Sequence, residues 1–88
     1  MMKEIKTLIA NLFNTPSNTN MQEELESLVL ASEEPAQELV AVLVKAAERA
    51  LQAKQLELAH RFYRLAEKRQ PEDLGLTAAI ARMLDEEL

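Results

Sequence analysis

Residues 56–69 read LELAHRFYRLAEKR and carry two apolar stripes at helical spacing. The first stripe is formed by Leu56, Ala59, Tyr63 and Ala66, and the second, rotated around the helix, by Leu58, Phe62 and Leu65. A surface helix usually has a single apolar stripe about 100° wide. We therefore predict that this helix lies at the centre of the fold and packs against neighbours on two sides.

The composition of the 88 residues favours a single all-α domain of about five helices. Apolar residues make up 48% of the chain and aromatic residues only 3%, so its core is built mainly of Leu, Ala, Val and Ile. That mixture suits close helix packing. One Gly and three Pro provide few of the tight turns that a β-sheet protein needs. The absence of Cys excludes disulfides and thiolate chemistry.

The first part of the chain is predicted to contain two short helices separated by a hinge. Residues 2–13 have the apolar spacing of an amphipathic helix. Residues 14–20, NTPSNTN, form a polar linker because Pro16 disfavours helix before it and Asn and Ser favour turns. The second helix is predicted over residues 21–31, with Thr19 or Asn20 as its N-cap.

The second part of the chain is predicted to form a helical hairpin and a C-terminal helix. The hairpin covers residues 36–71, and its two long helices must lie antiparallel because only Lys54-Gln55 joins them. Residues 72–88 form the C-terminal helix, which we expect to fray over residues 85–87 because acidic side chains oppose the helix dipole there. The apolar stripe of this helix is predicted to comprise Leu76, Ala79, Ile80, Met83 and Leu84.

The predicted hairpin has small, large and aromatic residues at a regular spacing. From the first helix to the end of the second, they are Leu43, Ala47, Leu56, Ala59, Tyr63, Ala66 and Pro71. With this spacing the hairpin resembles a tetratricopeptide repeat, a family of 34-residue helical hairpins with small residues at the helix crossing. The chain departs from the family pattern at Ala46 and Ala50, which have less bulk than expected, and at Lys54, where a Gly is common.

The resemblance implies a protein-binding function, because such repeats receive a peptide or helix on their first helices. Mapped onto this chain, the groove residues are Val40, Val44, Glu48, Leu51 and Gln52. An apolar groove of this kind implies an amphipathic helix as ligand. The second stripe of residues 56–69 is a further candidate surface for a partner, formed by Leu58, Phe62 and Leu65. The chain is similar in this respect to small bacterial repeat-type chaperones and adaptors.

No motif in the sequence predicts an enzyme, a metal site or a cofactor. His60 is the only His, whereas a metal site needs several convergent ligands and a general base needs a pocket with a nucleophile. We interpret His60 as a solvated helix residue. The single Gly excludes a phosphate-binding loop.

The charge distribution argues against nucleic acid as a partner. Residues 1–34 carry two Lys and six Glu, or −4, and residues 72–88 carry one Arg and five acidic residues, also −4. Residues 35–71 carry seven basic residues and four Glu, or +3. The acidic ends would repel phosphates. Without a signal sequence, a long apolar run or a polybasic cluster, we expect a cytoplasmic protein that does not bind membranes.

Two alternatives to a binding module remain open from the sequence. In the first, the protein is a self-assembling homodimer with a regulatory or structural role, in which the first helix swings across NTPSNTN and covers the second stripe of another copy. In the second, the protein is an acidic inhibitor that occupies a nucleic-acid enzyme. The inhibitor ranks lower because the hairpin between the acidic ends is basic.

Overall fold

The chain folds as an all-α protein, as the composition predicts. The computed structural model describes residues 2–72, 75 and 78–82, and no strand occurs among them. Its helices are α1 (Met2–Asn14), α2 (Thr19–Ala31), α3 (Ala36–Gln52) and α4 (Leu56–Arg69). Gly75 and residues 78–82 are also helical. Ile80 is buried, whereas the predicted core residues Leu76, Met83 and Leu84 and the predicted fraying over residues 85–87 lie outside the described residues.

The helical hairpin of α3 and α4 is the centre of the fold, because these two helices contact each other more extensively than any other pair. Small residues at the crossing, Ala47, Ala59 and Ala66, are fully buried and let the two backbones approach. The thinnest dimension of the molecule is 17 Å, which corresponds to two layers of helices about 8–10 Å apart. The protein is therefore flat, with α1 packed on α3, α2 packed on α4, and α1 and α2 in contact with each other.

The turn between α3 and α4 is closed by two backbone hydrogen bonds. The Gln55 N–H donates to the Ala50 carbonyl at 2.8 Å, and the Lys54 N–H donates to the Leu51 carbonyl at 3.0 Å. This pair of bonds is a Schellman motif, which requires a left-handed residue just after the helix. Lys54 takes that conformation with a φ of 63°. Lys54 thus stands at a position where the backbone conformation favours Gly, the residue that is common there in the repeat family.

The linker between α1 and α2 is shorter than predicted, spanning residues 15–18 rather than 14–20. The N-cap of α2 is Asn18, whose side-chain Oδ1 accepts a hydrogen bond from the Met21 N–H at 3.1 Å. The prediction of Thr19 or Asn20 as the N-cap is therefore wrong. Four consecutive residues of NTPSNTN, Ser17 to Asn20, are of types that can cap a helix, and the sequence did not distinguish among them.

Both apolar stripes of α4 pack against other parts of the same chain, and Leu56 alone among their residues is half-buried rather than buried. In the second stripe, Phe62 is fully buried and its ring centroid lies 5.9 Å from that of Phe13 at the end of α1. Helix α2 also contacts α4. Leu58 and Leu65 retain only 3% and 2% of their exposure. Leu58, Phe62 and Leu65 are therefore core residues in this structure rather than an exposed surface for a partner.

Candidate functional site

The groove residues predicted on α3 lie along one flank of that helix, which we call the first flank. Val40 is buried, Val44 and Leu51 are half-buried, and Glu48 and Gln52 are exposed. The structure brings these five together by helical spacing alone. It does not join them to Leu58, Phe62 and Leu65, which lie on the side of α4 that α1 and α2 cover. The eight predicted residues consequently do not form one surface.

The Tyr63 hydroxyl lies within electrostatic reach of Glu48 on the first flank and of Arg82 in the helical residues 78–82. Burial raises the pKa of the Tyr63 hydroxyl, the negative charge of Glu48 raises it further, and Arg82 acts in the opposite direction. Glu48 belongs to α3, whereas Arg82 belongs to the last described helical stretch. Ile80 of that stretch is 4% exposed and belongs to the same core. The helical residues 78–82 therefore pack against the same core as α3 and α4.

The opposite flank of α3 forms an open groove with α1, which we call the α1–α3 groove. Its volume is about 440 Å³, within the range of pockets that hold ligands. The aliphatic lining consists of Ile9 and Ala10 from α1 and Ala41, Val42 and Ala46 from α3. Ile9 and Ala46 are buried at the base, whereas Ala10 and Ala41 are exposed. The groove is thus apolar at its base and along much of its walls.

The rim of the α1–α3 groove is basic. Lys6 stands on α1, and Lys45 and Arg49 stand one turn apart on α3. All three are exposed, and within the described part of the chain none of them forms an ion pair. The Arg49 guanidinium lies 4.7 Å from the centre of the Phe13 ring, which fixes this cation by a cation–π contact. No acidic side chain is among the described residues that line the groove.

The basic residues of α4 differ from this rim because several of them are neutralised within the chain. Arg64 pairs with Glu67 at 3.0 Å, and Lys68 pairs with Glu26 at 3.2 Å. The surface beside them is lined by both acidic and basic residues. His60 lies there as a helix surface residue, and its Nε2 accepts a hydrogen bond from the Arg64 Nε–H at 3.2 Å. The α4 face therefore has less unbalanced charge than the α1–α3 groove.

The shape of the α1–α3 groove suits a short stretch of helix. From Ala41 to Arg49 its wall covers nine residues of α3, or about 12 Å for eight steps of 1.5 Å. The ends of α1 and α3 lie together, since Phe13 contacts Arg49 and its carbonyl accepts from the Gln55 side chain at 3.3 Å. The α3 wall is thus about two helical turns long, and the α1 wall, from Lys6 to Ala10, is about one turn long.

The sequence did not predict the α1–α3 groove, because its walls come from segments about 35 residues apart whose distance is set by packing. One signal was present. Ala46 stands where the repeat pattern has a larger residue, and at this position the groove reaches its base. A small residue on the core side of a helix predicts open space beside it. It does not predict which neighbouring helix borders that space.

The described residues contain neither a cluster of metal ligands nor a helix that could span a membrane. No group of three or more His, Cys, Asp or Glu side chains lies close enough there to hold a metal ion. None of the helices in the same part of the chain combines the length and apolar character needed to cross a bilayer.

Comparisons of the chain with protein-family models, with curated proteins and with solved structures found no match.

Proposed function

We propose that this protein is an interaction module, an adaptor or a chaperone, that binds an amphipathic helix of a partner protein. One observation carries the proposal. Helix α3 is central to the core, yet it keeps partly buried apolar side chains on both flanks, Val42 on one and Val44 and Leu51 on the other. An inner helix with unfilled apolar edges offers room for a further helix.

The binding of a helix fits this surface better than the binding of an extended peptide. Strand addition needs an exposed sheet edge, and the described residues contain no strand. A helix instead lays an apolar face along another helix through residues spaced i, i+3, i+4 and i+7. The resemblance of residues 43–71 to a tetratricopeptide repeat supports the same mode of binding by analogy.

Binding of defined peptides, mapped onto the backbone amides, tests the proposal. The probes are synthetic amphipathic helices with one Leu stripe, and a scrambled peptide of the same composition serves as the control. We expect saturable changes in amide chemical shifts that include residues of α3, such as Val42 or Val44, and no such changes with the scrambled peptide. Shift changes that never saturate, or that are equal for the scrambled peptide, would contradict the proposal.

A self-assembling homodimer is the second candidate, and the short linker before α2 favours it. Only residues 15–18 separate α1 from α2, and exchange of such an element between copies is a low-cost route to a dimer. In that dimer, Ile5 and Leu12, which are fully buried here, would insert into the second copy. Light scattering over a concentration series decides the matter, because a constant monomer mass excludes this candidate.

A further inference from the structure

We infer that the α1–α3 groove is the docking site, and that it takes a helix with carboxylates on both sides of its apolar stripe. This inference rests on the proposed function and adds to it the position of the site and the chemistry of the partner. It moves the site from the first flank of α3, where the sequence placed it, to the opposite flank.

The two walls of the α1–α3 groove leave space between them for apolar side chains of a partner. Ala10 and Ala41 are exposed, and their small side chains leave the edges of the groove unfilled. Ile9 and Ala46 form a buried base against which a partner's side chain can pack. Over about two turns of helix, a ligand can place anchors at i, i+3 or i+4, and i+7 into this space.

Cations stand on both walls of the α1–α3 groove. Lys6 lies on one wall and Lys45 and Arg49 lie on the other, so a docked helix has a cation on each side. The whole chain carries a net charge of −5, and unpaired basic residues around an apolar groove run against that balance. Complementary charge across an interface orients the partner and raises its association rate. A helix with Glu or Asp on both sides of its apolar stripe would place apolar side chains in the groove and carboxylates beside the cations of the two walls.

Other occupants are less well matched to the groove. A lipid surface would require α1 to present its apolar face, but Ile5, Leu8 and Leu12 are used in the protein core. A nucleic acid would gain little from an aliphatic base, since phosphate contacts need several donors and base stacking needs aromatic rings. A second copy would have to offer an exposed apolar stripe flanked by acidic residues, and Leu30 of α2 is the one large apolar residue exposed among those described. A single exposed Leu is ordinary for a protein surface.

The experiment uses the full chain and three peptides that share one Leu stripe. Their flanking positions are all Glu, all Gln or all Lys, and binding is measured by fluorescence anisotropy at low and high salt. We expect the order Glu, then Gln, then Lys in affinity, with the Glu peptide losing affinity as salt rises, because exposed ion pairs are screened. The variant Lys45→Glu should weaken the Glu peptide by about five- to tenfold, since one attraction becomes a repulsion.

The matched control is Arg61→Glu, which makes the same change of two charges on the exposed face of α4, outside the groove. It should change the affinity by less than about twofold. A second variant, Ala41→Gln, adds an uncharged side chain at the groove edge and should weaken all three peptides alike. Circular dichroism checks that each variant keeps its helices.

The outcomes separate this inference from the proposed function. If the peptides bind but Lys45→Glu and Arg61→Glu have equal effects, while Val44→Glu abolishes binding, the groove is not the site and the protein is still a helix-binding module. If no peptide binds, both this inference and the proposed function fail. If the wild-type protein self-associates without peptide and Lys45→Glu makes it monomeric, the occupant is a second copy and our choice of partner is overturned.

Discussion

Lys54 offers the sharpest test of the hairpin geometry, because its backbone lies in the left-handed region at a φ of 63°. A residue with a Cβ atom pays roughly 1–2 kcal/mol to adopt this conformation, whereas Gly adopts it freely. Gly also gains freedom in the unfolded chain, which costs about 0.4–1 kcal/mol. We therefore expect Lys54→Gly to raise the free energy of unfolding by about 0.5–1 kcal/mol. The corresponding rise in Tm is a few degrees, at about 4–8 °C per kcal/mol for a domain of this size.

The neighbouring residue provides the control for this prediction. Ala53 has a φ of −86°, so Gly relieves no strain there and only adds freedom to the unfolded chain. Ala53→Gly should lower the free energy of unfolding by about 0.5–1 kcal/mol. The variant Lys54→Ala separates the loss of charge from the relief of strain, and we expect little change from it. Urea unfolding followed by circular dichroism measures all three, and destabilisation by Lys54→Gly comparable to that of Ala53→Gly would refute the turn geometry.

Three further predictions concern the core, the pH dependence and the cap of α2. Phe62→Ala removes a fully buried ring and should lower the free energy of unfolding by about 3–5 kcal/mol in urea titrations; a loss below about 1 kcal/mol would mean that the ring is not in the core. Tyr63 has a raised pKa, so its contribution to stability is present below its usual pKa of 10.0 and is lost as the pH rises through the folded value. The urea midpoint should fall less between pH 8 and pH 11 in Tyr63→Phe than in the wild-type protein. An equal fall in the two proteins would contradict the burial of the hydroxyl. Asn18→Ala should cost about 1 kcal/mol by removing the 3.1 Å cap bond, whereas Asn20→Ala should cost little, and the reverse order of the two would restore Asn20 as the cap.

The sequence predicted the centre of the fold well because apolar periodicity is a local property. Helix α4 spans Leu56–Arg69, the same residues whose two stripes indicated a helix packed on two sides. Boundaries in polar segments were predicted less well. In NTPSNTN, several residues favour a cap or a turn, and the choice of Asn18 depends on where the chain must enter α2.

The partner surfaces were the least predictable part, because they depend on which neighbour covers each apolar face. The face with Phe62 was correctly identified as apolar, but its periodicity was the same whether Phe13 of this chain or another protein covered it. The full burial of Phe62 and the distance of 5.9 Å between the two rings distinguish these cases. Lys6 and Lys45 lie 39 positions apart in the sequence and share a groove only after α1 has packed beside α3.

The small residues of α3 connect the fold to the proposed site. Ala47 lies at the crossing with α4, where its size permits close packing of the hairpin. Ala46, one residue earlier, lies towards α1, and with Ala10 and Ala41 it leaves the space between the two helices open. Replacing any of these three with a larger apolar residue would fill the groove from within, which usually stabilises a protein when the cavity accepts the added volume. The underfilled side of α3 and the cations around it, which form no ion pair among the described residues, are the two features on which the proposed docking site rests.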